Sequence, residues 1–380
     1  MSKVAVIGGG LAGFSAALAA AAEGAEVTLI AKAPGATSLY AGGMEIAPEL
    51  GVLAQLAHHP FHRLGMDEAR LGAELEEACA WLTAALARAG LPLRGGLRER
   101  GVYADICGVP HEANFVPEAV APGELGALRG KRVVVVGVPS VSEYDAESTA
   151  AALRELAGIE ATAEELPIED LGPGASITDL FGRPAPEPHV RAQAIAYPPG
   201  FIGLPANGFE LLAAAPSPHG WRLQQALQRA LAATSVKVVT GEATGFHVEG
   251  GRLRAAAVGA DQVTADAFVM ATGRYLGGGL RKGRAVTEPL AGLQVFFDGR
   301  PAPEQAVALH HLEYLSPEPA FRAGLLTDAQ LRPLDAAGKP HFDNLRAAGS
   351  LLGGRDYADG FGFGVPLLTG RLAGRWSARS

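Results

Sequence analysis

Short apolar runs alternate with amphipathic stretches along this chain. Residues 3–7 read KVAVI and residues 26–31 read EVTLIA, and such β-branched apolar runs are typical of strands that are buried on both faces. The alanine-rich segment between them predicts a helix that ends before Gly24. The pattern therefore predicts a β-α-β unit of about 30 residues at the start of the chain.

The same alternation returns further along. Apolar residues at helical spacing predict an amphipathic helix over residues 67–89. A buried strand is predicted over 131–137, followed by a helix over 145–157. Then come a helix, a strand, a hairpin that turns at Gly250-Gly251, a second strand and a last helix. The first helix is predicted over 220–233, the strand over 236–241, the hairpin over 246–258 and the second strand over 263–271. The last helix is predicted to begin within 359–365 and to end at residue 373.

This order of elements predicts an α/β protein. A helix, a strand, a hairpin and a strand that runs into Ala-Thr-Gly complete a flavin domain of the two-dinucleotide-binding type, with a Rossmann-like β-α-β unit and a central parallel sheet. We expect that domain to be discontinuous and to carry an inserted α/β domain. The predicted flavin domain comprises residues 1–50, 206–285 and 322–380, the inserted domain 51–205, and a connecting segment 286–321.

The turn after the first strand has the spacing Gly8-x-Gly10-x-x-Gly13. Here Gly8 permits a tight turn, Gly10 lets backbone amides approach a phosphate, and Gly13 lets the helix pack on the sheet. The helix N-terminus, with Leu11 and Ala12, then faces the anion. A glycine-rich chain contains such spacings by chance, but this one lies between a predicted strand and a predicted helix. It therefore predicts a nucleotide site.

The carboxylate that binds the adenosine ribose is missing from the end of the second strand, where Ala31, Lys32 and Ala33 stand. This absence disfavours NAD and, less strongly, FAD. The loop that follows is rich in small residues and hydroxyls and is suited to a flat flavin ring. Its predicted cofactor-binding residues are Lys32, Thr37, Ser38, Gly42 and Gly43.

Two further turns are predicted to contact the cofactor. Thr272 and Gly273 follow the closing strand and lie at the carboxyl edge of the sheet. Near the C-terminus, glycines at 360, 362 and 364 leave amides bare at a helix start. We expect Gly362 and Gly364 to face a ring carbonyl or the reduced flavin.

Composition narrows the function classes. The 380-residue chain has a net charge of −8 and no basic run, which disfavours nucleic acid as a partner. Its two cysteines cannot bind an iron–sulfur cluster. Pro60 breaks the helix that would place His58, His59 and His62 on one face, so no metal site is expected. Glycines 8–10 interrupt the apolar N-terminal stretch and no run could cross a bilayer, so we expect a cytoplasmic protein without a membrane span.

Taken together, several segments resemble the B subunit of anaerobic glycerol-3-phosphate dehydrogenase, a relative of fumarate-reductase-type flavoproteins. They are VIGGGLAG, ATSLYAGGMEI, APSPHGWRLQQALQR, MATGRYLGGGL, EPLAGL, GLLTDAQLRP and NLRAAGSLLGGRDYADGFGFG. The resemblance runs along nearly the whole chain and is weakest over residues 50–130.

The resemblance implies an FMN subunit that works with two partner subunits of the same complex, one that bears FAD and one that carries iron–sulfur clusters and is attached to the membrane. Together these subunits would oxidise glycerol 3-phosphate to dihydroxyacetone phosphate and reduce a quinone at the inner face of the membrane. It also implies flavin contacts at Gly349 and at Ser350, where many FAD enzymes have an acid. FAD stays the close alternative to FMN.

The sequence assigns no catalytic residue. His219 is a candidate for the base, and Arg222, Arg281 and Arg284 are candidates for cations that bind the substrate phosphate. Alternatively, the chain relays electrons without binding substrate. Two other functions stay open: a self-sufficient flavin oxidoreductase of the fumarate-reductase type, and an NAD-dependent dehydrogenase.

Overall fold

The computed structural model of the protein describes residues 1–311, 313, 316 and 318–380. Its helices are α1 (Leu11–Ala22), α2 (Pro60–Arg63), α3 (Glu68–Arg88), α4 (Leu125–Leu128), α5 (Ala146–Ala157), α6 (Pro218–Ala232) and α7 (Gly364–Ala378). Its strands are β1 (Lys3–Ile7), β2 (Glu26–Ala31), β3 (Leu93–Gly95), β4 (Gly101–Ala104), β5 (Pro110–Ala113), β6 (Phe115–Pro117), β7 (Arg132–Gly137), β8 (Glu160–Glu165), β9 (Ala194–Tyr197), β10 (Gly208–Glu210), β11 (Lys237–Thr240), β12 (Ala243–Glu249), β13 (Arg252–Val258), β14 (Asp261–Thr264), β15 (Ala267–Met270), β16 (Arg281–Lys282), β17 (Val286–Thr287), β18 (Phe296–Phe297), β19 (Arg300–Pro301) and β20 (Leu345–Ala347).

Contacts within the chain define two compact units. The first unit comprises Met1–Ala36, Ile46–Leu82 and Gln228–Ser380, and the second comprises Thr37–Glu45 and Thr83–Leu227. Both are therefore discontinuous in sequence.

The first unit is built on a five-stranded parallel sheet with the strand order β11-β2-β1-β15-β20. The predicted first and second strands are confirmed at their predicted bounds, and they pair in register, with Val6 opposite Leu29. Both strands are largely buried because α1 and α7 cover the sheet, as their contacts with β1 and β15 show. The predicted hairpin is β12-β13, and it turns at Gly250 and Gly251, which both have positive φ.

The predicted strand over 263–271 is wrong in one respect: it is two strands, β14 and β15. β14 pairs with β13 in a small antiparallel sheet, whereas β15 pairs with β1 in the parallel sheet. The break falls at Asp266, whose backbone amide donates to the Lys3 carbonyl and whose carboxylate accepts from the Lys3 amide. The chain must change direction there in order to leave one sheet and enter the other.

The last helix also differs from its prediction. A short 3-10 turn occupies Tyr357–Asp359, and α7 begins only at Gly364 and continues to Ala378, five residues beyond the predicted end. Glycines at 370 and 374 do not end the helix because they form its contact with α1. Tertiary packing compensates for the low helix propensity of glycine.

The second unit has its own four-stranded parallel sheet, with the order β10-β9-β7-β8. The predicted strand and helix here are confirmed as β7 and α5. Asp145 caps α5 by accepting a hydrogen bond from the Ser148 amide, and Gly158 ends it in the left-handed conformation. Valines of β7 lie in the core of this sheet.

The predicted domain boundaries stay a prediction. In the structure, residues 51–82 pack within the first unit and residues 206–227 within the second. Four residues of the predicted connecting segment, at positions 312, 314, 315 and 317, lie outside the described residues. Over the part of the chain that is described, no helix is long and apolar enough to span a bilayer.

Candidate functional site

The glycine-rich turn joins β1 to α1 at the carboxyl edge of the first unit's sheet. A Cβ atom on Gly8, whose φ is +130°, would lie 2.1 Å from the carbonyl oxygen of Ala271, and one on Gly13 would lie 1.9 Å from that of Gly8. Neither position accepts a side chain. Gly10 is the N-cap of α1, and no side chain caps the helix there. The geometry suits a phosphate bound by backbone amides at a helix N-terminus.

The turns after β15 and β20 lie beside this glycine-rich turn, because β1, β15 and β20 are adjacent parallel strands. The hydroxyl oxygen of Thr272 is buried and has no hydrogen-bond partner among the described residues. A Cβ atom on Gly273 would lie 3.8 Å from the Ser350 hydroxyl, and one on Gly349 would lie 2.7 Å from Ala12. The structure therefore brings together predicted site residues from three distant segments.

The N-terminus of α7 lies at the same carboxyl edge of the sheet as the N-terminus of α1. A Cβ atom on Gly370 would lie 2.4 Å from the Ala12 carbonyl oxygen, and one on Gly374 would lie 2.1 Å from that of Ala16. These paired contacts show that α1 and α7 run parallel, so that their N-termini point the same way. No side chain caps α7 at Phe363. Two helix N-termini provide positive potential for an anionic group.

The start of α7 is held tightly. A Cβ atom on Gly364 would lie 1.9 Å from the carbonyl oxygen of Ile46. Gly362 lies in the turn that leads into the helix. Position 364 therefore has room only for glycine. The contact of Gly362 and Gly364 with the flavin ring stays a prediction.

Lys32 follows β2 at the edge where a ribose-binding carboxylate was expected. Its amino group lies 3.1 Å from a carboxylate oxygen of Glu242, and both side chains are about half exposed. Glu242 follows β11, which pairs in parallel with β2. The acid that β2 lacks is thus present at the end of the neighbouring strand. The sequence could have indicated that Glu242 lies near Lys32, because both residues follow predicted parallel strands, and parallel strands end at the same edge of a sheet.

Four other predicted flavin contacts, Thr37, Ser38, Gly42 and Gly43, belong to the second unit. The Tyr40 hydroxyl donates to the carbonyl of Gly42, and the Met44 amide donates to that of Phe115. A Cβ atom on Gly42, at a φ of +114°, would lie 2.8 Å from the His219 ring. Their part in binding a flavin stays a prediction.

The catalytic candidate His219 is fully buried in the second unit. Its Nε2 lies 2.9 Å from the Leu211 carbonyl, so Nε2 carries the proton, and its Nδ1 lies 3.9 Å from Glu210. Burial lowers the pKa of His219 below its usual range. The buried carboxylate of Glu210 pairs with Arg222 at 2.5 Å. These contacts stabilise the second unit and argue against His219 as a base for a substrate.

The other candidate cations and the histidines near Pro60 have ordinary structural surroundings. Arg281 and Arg284 are exposed. The His62 ring bonds to the Leu53 carbonyl, and Nδ1 of His59 accepts from the Phe61 amide at the start of α2. The described residues hold no group of three or more His, Cys, Asp or Glu side chains arranged to bind a metal.

Similarity to known proteins agrees with this geometry. Residues 3–161 and 192–360 match the family described as FAD binding domain. The chain belongs to this family. The predictions of an α/β flavin-binding fold and of a flavin-dependent oxidoreductase are therefore confirmed. Membership also disfavours the NAD-dependent alternative.

Curated relatives match over full length. A Halobacterium salinarum protein, named as the probable B subunit of anaerobic glycerol-3-phosphate dehydrogenase, is 28% identical over 442 aligned positions, covering 100% of this chain and 98% of the relative. A Yersinia pestis protein, named as the B subunit of the same dehydrogenase, is 27% identical, covering 96% and 95%. The resemblance predicted from the sequence is confirmed.

A solved structure, 3-ketosteroid delta1-dehydrogenase from Sterolibacterium denitrificans, aligns over 100% of both chains with 14% identity and a TM-score of 0.47.

Proposed function

We propose that this chain is the flavin-binding subunit of a glycerol-3-phosphate dehydrogenase that passes electrons to a quinone. The observation that carries the proposal is the convergence of Gly8–Gly13, Thr272–Gly273 and Gly349–Ser350 at one sheet edge, beside the N-termini of α1 and α7. The full-length similarity to relatives named as B subunits supports the substrate and the multi-subunit context.

The residues present fit a flavin phosphate. The backbone of the glycine-rich turn approaches closely enough to exclude side chains at Gly8 and Gly13, and α1 presents its N-terminal amides there. The orphaned hydroxyl of Thr272 is a polar group that a bound ligand would satisfy. When bound, the flavin supplies the two-electron oxidation of a secondary alcohol to a ketone.

We propose FMN rather than FAD as this flavin. The loop after β2 lies against the phosphate turn: a Cβ atom on Gly35 would lie 2.7 Å from the Cα of Gly10, and one on Gly9 would lie 2.8 Å from the Ala33 carbonyl. Ala31 offers no ribose hydrogen bond, and the nearby Glu242 is already paired with Lys32. These features reduce the favourable contacts that adenosine would make.

The two partner subunits also belong to the proposal. Among the described residues, the candidate base His219 is fully buried, and burial lowers its pKa, which makes it a weaker base for the substrate hydroxyl. We propose that an FAD-bearing partner completes the reaction and that an iron–sulfur partner carries electrons to the membrane. The chain itself would then reside at the cytoplasmic face of the membrane through these partners.

Two measurements test this function. Cofactor extracted from the purified chain is separated by chromatography and should be FMN. The flavin-loaded chain is then mixed with glycerol 3-phosphate in an anaerobic stopped-flow instrument, alone and after reconstitution with the FAD-bearing and iron–sulfur partners. We expect bleaching of the flavin to be at least about a thousandfold faster in the complex, a barrier difference of about 4 kcal/mol.

Other outcomes would redirect the proposal. Rapid bleaching of the lone chain by glycerol 3-phosphate would favour a self-sufficient oxidoreductase. A chain that stays colourless after incubation with FMN and with FAD would contradict the flavin assignment.

A further inference from the structure

Two buried arginines meet at one tyrosine ring in the first unit. Arg274 is 3% exposed and Arg355 is 2% exposed. The guanidinium carbons of both residues lie over the ring of Tyr357, at 6.0 and 5.7 Å from its centroid. The ring itself is more than half exposed. Two cations are thus concentrated behind one aromatic side chain at the surface.

Arg274 has an unusual set of partners for a buried cation. Its Nε donates to the Ser350 carbonyl at 3.0 Å and its Nη2 donates to the Leu352 carbonyl at 3.2 Å. Among the described residues, no carboxylate lies within ion-pair distance of its guanidinium, and Nη1 makes no hydrogen bond. Burial, with a smaller effect of Arg355, lowers the pKa of Arg274 to about 10. A buried charge without a counter-ion is costly, so such groups usually have an anionic partner.

The nearby carboxylates are bound elsewhere. Asp359 accepts hydrogen bonds from the amides of Phe361 and Asp356, and it lies 3.7 Å from His59 and 3.9 Å from Arg355. Asp356 accepts from the Ala358 amide. Both carboxylates therefore stabilise the turn before α7, and neither forms an ion pair with Arg274.

The arginine pair lies on the segments that we assign to the flavin site. Ser350 and Leu352 follow β20 at the carboxyl edge of the sheet. Asp359 opens the turn that leads to Gly362 and Gly364. A ligand held by Arg274 would thus lie beside segments predicted to contact the flavin. This placement rests on the proposed function.

We propose that Arg274, supported by Arg355, binds the phosphate group of a small phosphate monoester substrate, with Nη1 of Arg274 as the donor. A phosphate monoester carries nearly two negative charges at neutral pH, so it would supply the counter-ion that Arg274 lacks, whereas Arg355 already lies 3.9 Å from the Asp359 carboxylate. The guanidinium of Arg274 would keep its hydrogen bonds to the carbonyls of Ser350 and Leu352. These bonds fix its orientation toward the ligand.

Isothermal titration calorimetry on the full-length, flavin-loaded chain tests this site. The probes are inorganic phosphate, glycerol 3-phosphate and, as the neutral control, glycerol. We expect Arg274→Gln to weaken binding of both phosphate probes at least about tenfold, as for loss of a hydrogen bond between charged groups. Arg274→Lys keeps the charge and should weaken binding by a smaller factor.

Arg346 provides a matched control. It is also buried, it contacts the hydroxyls of Ser377 and Ser380, and burial likewise lowers its pKa to about 10. Arg346→Lys should leave the affinity for phosphate unchanged. If Arg346→Lys weakens it as much as Arg274→Lys does, or if phosphate binds Arg274→Lys as tightly as the unaltered chain, the proposal is wrong.

A flavin titration separates the two possible sources of phosphate. If Arg274→Lys loses affinity for FMN but not for riboflavin, Arg274 binds the cofactor's phosphate and the substrate assignment is overturned. Calorimetry with inorganic phosphate also works on chain that has lost its flavin. A chain that binds no flavin but still binds phosphate through Arg274 would therefore contradict the proposed function while supporting this site.

Discussion

Gly370 in α7 packs directly on Ala12 in α1, with a position for Cβ only 2.4 Å from the Ala12 carbonyl oxygen. Gly374 has the same relationship to Ala16 one turn later. The first and last helices of the chain are therefore in backbone contact and parallel. Their macrodipoles reinforce each other at the edge of the sheet where the glycine-rich turn lies.

Replacing Gly10 with valine tests the phosphate turn. We expect a folded protein that binds little flavin, because the side chain would occupy the place where backbone amides meet the phosphate, next to Gly35. Flavin content is measured by absorbance and folding by circular dichroism. The control is Gly51→Val, at a glycine with nothing within 4 Å of an added Cβ. Undiminished flavin in the Gly10 variant would place the phosphate elsewhere.

Replacing Ala31 with glutamate tests the preference for FMN. The new carboxylate would stand at the end of β2, where a ribose can donate to it, and we expect the affinity for FAD relative to FMN to rise about tenfold. Quenching of flavin fluorescence gives both dissociation constants. Ala84→Glu, at an exposed position of α3, serves as the control. An unchanged ratio would mean that the adenosine end is not bound near β2.

Replacing Gly364 with alanine tests the electrostatic role of α7. The added methyl group would meet the Ile46 carbonyl oxygen and displace the start of the helix. If the helix N-terminus stabilises negative charge on the reduced ring, the two-electron potential should fall by about 10 to 20 mV. Potentiometric titration measures it, with Gly283→Ala as the control because an added Cβ there meets nothing within 4 Å. A potential equal to that of the control would show that α7 does not face the ring.

His59 should make stability depend on pH. Burial, with smaller effects of Arg355 and His62, lowers the pKa of His59 to about 3. In the unfolded chain this histidine takes up a proton near pH 6.5, whereas in the folded chain it stays unprotonated until the pH is much lower. The free energy of unfolding should therefore fall as the pH drops from about 6.5 toward 3, by up to roughly 1.4 kcal/mol per pH unit. Burial raises the pKa of Asp359, whose contribution opposes this slope near the acid end.

Urea denaturation between about pH 4.5 and about pH 7 measures that dependence. His59→Asn removes the titrating ring and keeps an acceptor for the Phe61 amide, so the slope should become shallower. His247→Asn, at an exposed histidine, should leave it unchanged. Equal slopes for the unaltered chain and the His59 variant would contradict the assignment.

Local pattern determined much of this protein. The apolar runs at 3–7 and 26–31 are strands at those bounds, and Gly250-Gly251 turns the hairpin. Periodicity and turn chemistry act over a few residues, so they are visible in the sequence. The spacing of Gly8, Gly10 and Gly13 between a strand and a helix was equally local, and it led to the flavin family that the comparisons confirm.

Only the tertiary structure decided which distant residues meet. Glu242 approaches Lys32 because β11 pairs with β2, although 210 positions separate them. Arg274 and Arg355 share Tyr357, and His219 is buried against Glu210, through contacts that no periodicity encodes. Asp266 splits a run that reads as one strand, because hydrogen bonds to Lys3 redirect the chain. Such contacts depend on the pairing of strands and the packing of helices, whose free energy is shared among residues far apart in the sequence.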